Sequence, residues 1–218
     1  MNQPKLTTTE KVLIEAIYEL FYTYEDRDEK PIITLYGISK IFYGRFPSGD
    51  VTRQVKRNLI KMSEKELKAD GMDKVVFVTF KKDKTISRGE IVDITLNPLL
   101  VEQLKTFFKN RRKGAIKRLR EAIYLVKGNR EFAYSIYELR HYINTLIIAG
   151  YTDHTVNVDE LCYKLEPTNM RLSQKGRAKK IVDKAIRVCK ELGIIRTAQI
   201  IENDGEPKYY FTLGEKPV

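Results

Sequence analysis

Residues 173–213, SQKGRAKKIVDKAIRVCKELGIIRTAQIIENDGEPKYYFTL, decide how the chain is read. Ser173 suits a helix N-cap, and Ile181, Val182, Ala185, Val188, Cys189 and Leu192 recur at the three-and-four spacing of one buried helix face. The opposite face is cationic, with Lys175, Arg177, Lys179, Lys180, Lys184 and Arg187 opposed only by Asp183. Gly193 predicts the helix stop, and residues 194–201 read as a strand. Asn203-Asp204-Gly205 is a turn signal, after which residues 208–213 return as the partner strand. A basic helix followed at once by a β-hairpin is the second half of a winged helix-turn-helix.

The remaining residues repeat that plan earlier in the chain. Thr7 with Glu10 fits a capping box, and Val12, Leu13, Ala16, Ile17, Leu20, Phe21 and Tyr24 form an apolar stripe after a loose arm over 1–6. A charged loop at 25–30 and an extended piece opened by Pro31 precede a second helix with Leu35, Ile38, Ile41 and Phe42. Gly and Pro break the chain over 44–49. A third helix is expected over about 48–69, with Val51, Val55, Leu59 and Met62 inward and Arg53, Gln54, Lys56, Arg57, Asn58 and Lys61 outward. Residues 75–80 and 91–96 then predict a hairpin whose long tip carries Lys81, Lys82, Lys84 and Arg88.

Pro98 closes this first module, and a long helical stretch follows over 99–126. Leu100, Leu104, Phe107 and Phe108 mark its first half and Ile116, Leu119, Ile123 and Val126 its second, with a cationic interruption at 110–114. Next come a helix carrying Phe132, Ile136, Leu139, Ile143, Leu146 and Ile147, a loop over 150–155, then a short extended run at 156–158. A brief helix capped by Asp159 and ended by Pro167 leads into the opening stretch. The fold expected is a helix-rich α+β chain of tandem winged helix-turn-helix modules, 1–98 and 129–218, joined by a helical linker over 99–128.

Composition narrows the function. Across 218 residues, 42% hydrophobic content with 13 Tyr and 9 Phe suffices for two packed cores. No apolar run reaches membrane-spanning length and no signal-peptide apolar region opens the chain, so a cytoplasmic protein without membrane contact is expected. Cys162 and Cys189 fall on apolar helix faces, and His141 and His154 stand at no zinc-ligand spacing to them. They read as reduced core thiols, with no metal and no cofactor. The net charge of +11 implies an anionic partner, and double-stranded DNA leads because the cations gather on the third helix of each module. The bland alternative is a solvated face that serves only solubility. Arg and Gln on these helices are candidates for base edges, and most Lys for phosphate, as are Lys81, Lys82, Lys84 and Arg88 of the first wing, whereas the acidic turn over 203–206 makes the second wing a poor phosphate binder.

Catalysis has no support in the residues. There is no Gly-rich phosphate loop, no paired acid and His cluster, and no nucleophile beside a base. The tyrosines at 18, 36, 43, 124, 137 and 142 lie beside apolar helix residues, where a core or core-edge role is the simpler reading. A binding protein is expected, not an enzyme. The apolar residues of the linker predict either docking within the chain or a homodimer through the first module.

The order of elements resembles the plasmid replication initiators that bind repeated origin sequences. Locally, Ser135-Ile136-Tyr137-Glu138-Leu139 looks like the opening of that family's second winged helix, and Val158-Asp159-Glu160-Leu161 like the short helix that follows. Tyr209-Tyr210-Phe211-Thr212-Leu213 is similar to its closing strand. The resemblance implies that the C-terminal module makes the main sequence-specific DNA contact, while the N-terminal module supports dimerisation and adds a second contact. A winged-helix transcriptional regulator and a winged-helix protein-interaction scaffold are the alternatives.

Overall fold

Thr7 and Glu10 cap one another at the start of α1 (Thr8–Thr23). The Thr7 N–H donates to Glu10 Oε2 at 2.7 Å and the Glu10 N–H to Thr7 Oγ1 at 3.3 Å, which satisfies two orphan donors of the first turn. The computed structural model describes residues 7–23, 33–43, 46–64, 66–68, 74–76, 78–86, 89–98, 114–128, 133–165 and 175–218. These divide into two units, Met1–Lys109 and Asn110–Val218. Several expectations lie outside the described residues: the 1–6 arm, the 25–30 loop, Arg88, Phe132, Pro167 and the cap at Ser173. So do Leu100, Leu104, Phe107, Phe108 and residues 110–113 of the linker.

In the first unit, α1 packs with α2 (Leu35–Tyr43) and α3 (Gly49–Ser63). Val12, Leu13, Ala16, Ile17, Ile38, Phe42, Val55, Leu59 and Met62 are buried there. Ser48 caps α3, its Oγ accepting from the Val51 N–H. This helix stops at Ser63, earlier than the expected 69, because Glu66–Lys68 (β1) pairs antiparallel with Lys74–Val76 (β2). The run expected as one strand over 75–80 therefore splits. Its second part opens β3 (Val78–Ile86), which pairs with β4 (Gly89–Leu96) from Val78 opposite Leu96 to Ile86 opposite Gly89. Strand pairing thus extends into the region expected as a long basic tip, with a register shift between Lys82 and Thr85. Ile33 and Thr34 reach the other edge of β4, where the Val92 N–H donates to the Ile33 carbonyl at 3.0 Å.

The second unit begins with α4 (Ala115–Lys127), the second half of the expected linker. Its Ala115, Leu119, Ala122 and Ile123 lie in one core with α5 (Tyr134–Ile148), α6 (Val158–Leu165) and α7 (Lys175–Glu191), so this part of the linker is a packed element of the unit. Strands β5 (Asp153–Asn157), β6 (Ile195–Asn203) and β7 (Glu206–Leu213) form an antiparallel sheet in the order β5-β7-β6. Asp204 and Gly205 both have positive φ, as a two-residue primed hairpin turn requires. At α6, the cap is Asn157 and not Asp159: the Asn157 Oδ1 accepts from the Asp159 and Glu160 N–H groups at 2.8 and 3.3 Å. Strand β5 delivers the Asn amide to the helix start, which leaves both acids in the first turn, where the helix dipole favours them.

The end of α7 is fixed on two sides. The Ile194 N–H donates to the Cys189 carbonyl and the Gly193 N–H to the Lys190 carbonyl, a Schellman arrangement made possible by Gly193 at φ +72°. Gly214 then lies against it, its N–H donating to the Ile194 carbonyl at 2.9 Å. A Cβ on Gly214 would come within 2.1 Å of the Gly193 carbonyl oxygen. The last turn of α7 is thereby seated on the end of β7.

Candidate nucleic-acid interface

Helix α7 buries Ala178, Val182, Ala185, Ile186, Val188 and Cys189, with Leu192 buried just past its end, which leaves a polar surface on the other side. Arg177, Lys180, Lys184 and Arg187 are all exposed. At about 100° per residue they span about 80° of helix circumference, in a single stripe. Among the described residues no ion pair engages any of the four. Their charges are open to an anionic ligand. The backbone of Lys175 opens the helix one turn before Lys179.

Lys179 stands differently. Its Nζ lies 3.1 Å from Asp183 Oδ2, and the Asp183 Oδ1 accepts a 2.7 Å hydrogen bond from Tyr209 Oη. Tyr209 is buried on β7, the central strand, stacked beside Phe211. Burial raises the Tyr209 pKa well above its usual value, and the hydrogen bond to Asp183 and that carboxylate's charge raise it further. The phenol therefore remains a donor at neutral pH. Lys179, expected as one of the DNA contacts, thus shares its carboxylate partner with the sheet.

On α3, Arg53, Gln54, Arg57 and Lys61 are exposed and Lys56 half-buried. The four exposed residues again fall within about 100° of circumference. Arg53 pairs with Asp50 one turn earlier, at a surface where such pairs contribute little. Lys81 and Lys82 occupy β3 opposite Asp93 and Val92, and Lys84 follows in the irregular part of the strand. These residues belong to the first unit and the α7 stripe to the second.

The β6–β7 hairpin carries the opposite charge. Glu202, Asp204 and Glu206 are exposed around its turn, and Lys208 Nζ stands 3.5 Å from Asp204 Oδ2. Asn157 Nδ2 donates to Glu206 Oε2 at 2.7 Å, tying the strand before α6 to the hairpin.

Elsewhere in the second unit, both cysteines are buried and neither is in a disulfide, and the Cys189 thiol is pushed up to about 12 by burial, against the opposing effect of Arg140. His154 is lowered from its ordinary value, first by burial, then by Lys164, against Glu160 and Asp153. Tyr142 Oη and His154 Nε2 share a hydrogen bond, and Tyr142 is raised by burial and Glu160. With the phenol protonated and the imidazole in its neutral Nδ1–H tautomer, the O–H donates to Nε2. Among the described residues, no group of three or more His, Cys, Asp or Glu side chains gathers as metal ligands, and no helix is long and apolar enough to cross a membrane.

Sequence periodicity missed the role of Asp183. The one acid amid the basic positions of α7 was the available signal for Asp183, and nothing local marked its partner 26 residues away.

The class defined by these features is a helix-rich α+β chain of two units, each with a cation-bearing third helix or its equivalent before a β-hairpin. The crystal structure of RctB domains 2-3 is similar in fold, with a TM-score of 0.59 over 96% of this chain and 83% of that one, at 15% identity. A selenomethionine derivative of domain 2 and domain 3 of RctB gives a TM-score of 0.58 over 95% and 82%, also at 15% identity. No protein-family model matches the sequence, and no curated protein does.

Proposed function

We propose that the chain is a tandem winged-helix protein that binds double-stranded DNA in a sequence-specific manner, as a replication initiator of a plasmid or similar element with repeated origin sites. The observation that carries the DNA reading is the stripe of Arg177, Lys180, Lys184 and Arg187, exposed and without an ion-pair partner among the described residues. It stands on the last helix before a hairpin, the position from which a recognition helix enters the major groove. The sheet order β5-β7-β6 and the succession α5, β5, α6, α7, β6, β7 support the winged-helix reading of the second unit. Three helices and the β3–β4 hairpin support it for the first. The role is binding, not catalysis.

Initiator function is supported by the resemblance of residues 135–139, 158–161 and 209–213 to the plasmid initiators, and the fold shared with RctB domains 2-3 extends across both units. In this reading the second unit supplies most of the specificity, while the first, through α3, adds a second contact and a homodimer surface. The acidic β6–β7 turn stays clear of phosphate, because like charges repel. Selection of bound sites from random duplex DNA tests the reading. Directly repeated sites are expected; a palindrome beside a promoter would favour a transcriptional regulator, and no enrichment would favour a protein-interaction scaffold. With about six phosphate contacts, log affinity should fall with log salt at a slope near about −5.

A further inference from the structure

We propose that Asp183 determines specificity by holding Lys179 out of phosphate contact, so that α7 grips an arbitrary duplex less tightly than its cation content allows. The proposal rests on the reading of α7 as the DNA-contacting helix and adds a device within that site. It follows from the bridge Lys179–Asp183–Tyr209.

An exposed pair four residues apart on a helix is weak by itself, and phosphate would compete for its lysine. Asp183 is not held by Lys179 alone. Its Oδ1 is fixed at 2.7 Å by a phenol that is 3% exposed and anchored in the central strand, so the carboxylate keeps its place when Lys179 moves. Lys179 and Asp183 together present no net charge to DNA. To reach a phosphate, Lys179 must leave a carboxylate that stays behind as a repulsive charge.

The position of the pair makes this a matter of specificity. Lys179 lies about 120° around the helix from the centre of the Arg177–Lys180–Lys184–Arg187 stripe, and Asp183 about 80°. When that stripe is docked against a preferred site, the pair sits at its margin. Binding to arbitrary DNA is almost wholly electrostatic and samples many loose orientations of the helix, several of which bring the margin to the backbone. There a fixed acid and a withheld lysine reduce affinity. Discrimination is gained by weakening the wrong complexes, with no new contact to the right one.

The test uses the full chain and titrates parent, Asp183→Asn and the double variant Asp183→Asn/Lys179→Met against a selected and a random duplex across a salt series. Asn keeps an oxygen acceptor for Tyr209, and unchanged thermal unfolding confirms that the fold is intact. Asp183→Asn should bind the random duplex roughly five- to tenfold more tightly at about 0.1 M salt, with a slope steeper by about one. The selected duplex should gain only about twofold, so the specificity ratio falls. Adding Lys179→Met should abolish the gain. A parent that binds, with Asp183→Asn showing the same slope and ratio, overturns the proposal alone; so does a gain that survives in the double variant. If Asp183 is merely structural, both affinities drop with stability and the slope stays put, which also overturns it. A parent that binds no duplex removes the DNA reading itself, and the proposal with it.

Discussion

Asn144 pairs its side-chain amide with the backbone of Val218. Its Nδ2 donates to the Val218 carbonyl oxygen at 2.6 Å, and its Oδ1 accepts from the Val218 N–H at 3.1 Å. Both residues are fully buried, so the amide imitates a strand partner for a segment that has no ladder there. Asn144→Ala leaves one donor and one acceptor buried without these bonds and should destabilise the second unit by about 2 kcal/mol or more. A urea midpoint lowered at unchanged m-value is the expected result, and an unchanged midpoint would mean that the segment finds other partners.

Gly214 gives a steric counterpart. Because a Cβ there meets the Gly193 carbonyl oxygen at 2.1 Å, Gly214→Ala must move either the last turn of α7 or the end of β7. The change should destabilise by about 1–3 kcal/mol, in the manner of overpacking. Gly49, whose added Cβ meets nothing within 4 Å, is the control, and Gly49→Ala should be close to neutral or stabilising. Thermal unfolding of the two variants decides, and equal melting temperatures would contradict the close approach at Gly214.

These two cases show what the sequence could and could not reveal. The apolar spacing of α7, the stop at Gly193 and the Asp204-Gly205 turn are local chemistry, legible within a few residues. The stop of α3 at Ser63 was not legible, since residues 64–69 (EKELKA) are good helix formers and only their pairing partners at 74–76 draw residues 66–68 into a strand. The shift of the α6 cap from Asp159 to Asn157 turns on where β5 ends, a tertiary fact. At the candidate interface, charge counting found the cations of α7 but not that Lys179 is paired, because its partner is held in turn by Tyr209 on a distant strand.

His154 makes the stability of the second unit depend on pH. Its folded-state pKa is lowered below the ordinary value of 6.5, first by burial, so between that value and the folded one the unfolded chain binds more protons. The contribution is therefore fully present above about pH 6.5 and is lost as pH falls through the folded pKa. Tyr142 and Tyr151 face the ring, with Glu160 and Asp153 favouring protonation and Lys164 opposing it. His154→Gln should be less stable than the parent at neutral pH, with the gap in melting temperature closing toward pH 5. A gap that widens on acidification would show that His154 gains stability by protonation.

Two basic helices make the last prediction a comparison. If α7 is the recognition helix, Arg177, in its first turn, is placed to reach base edges and Lys184, two turns later, to lie nearer the duplex backbone. Arg177→Ala should lose about 1–3 kcal/mol on the selected site and less on random DNA. Lys184→Ala should weaken both duplexes alike and make the salt slope shallower by about one. On α3, Arg57 is exposed and Arg53 is paired with Asp50, and if the first unit serves mainly dimerisation, Arg53→Ala and Arg57→Ala should each lose less than Arg177→Ala on the selected site. All four substitutions are at exposed positions, so circular dichroism should report an unaltered fold and binding differences can be read as contacts. Titration of the four variants against both duplexes then assigns the recognition helix. Parent-like binding by the Arg177 and Lys184 variants, with losses at Arg53 and Arg57, would move it from α7 to α3.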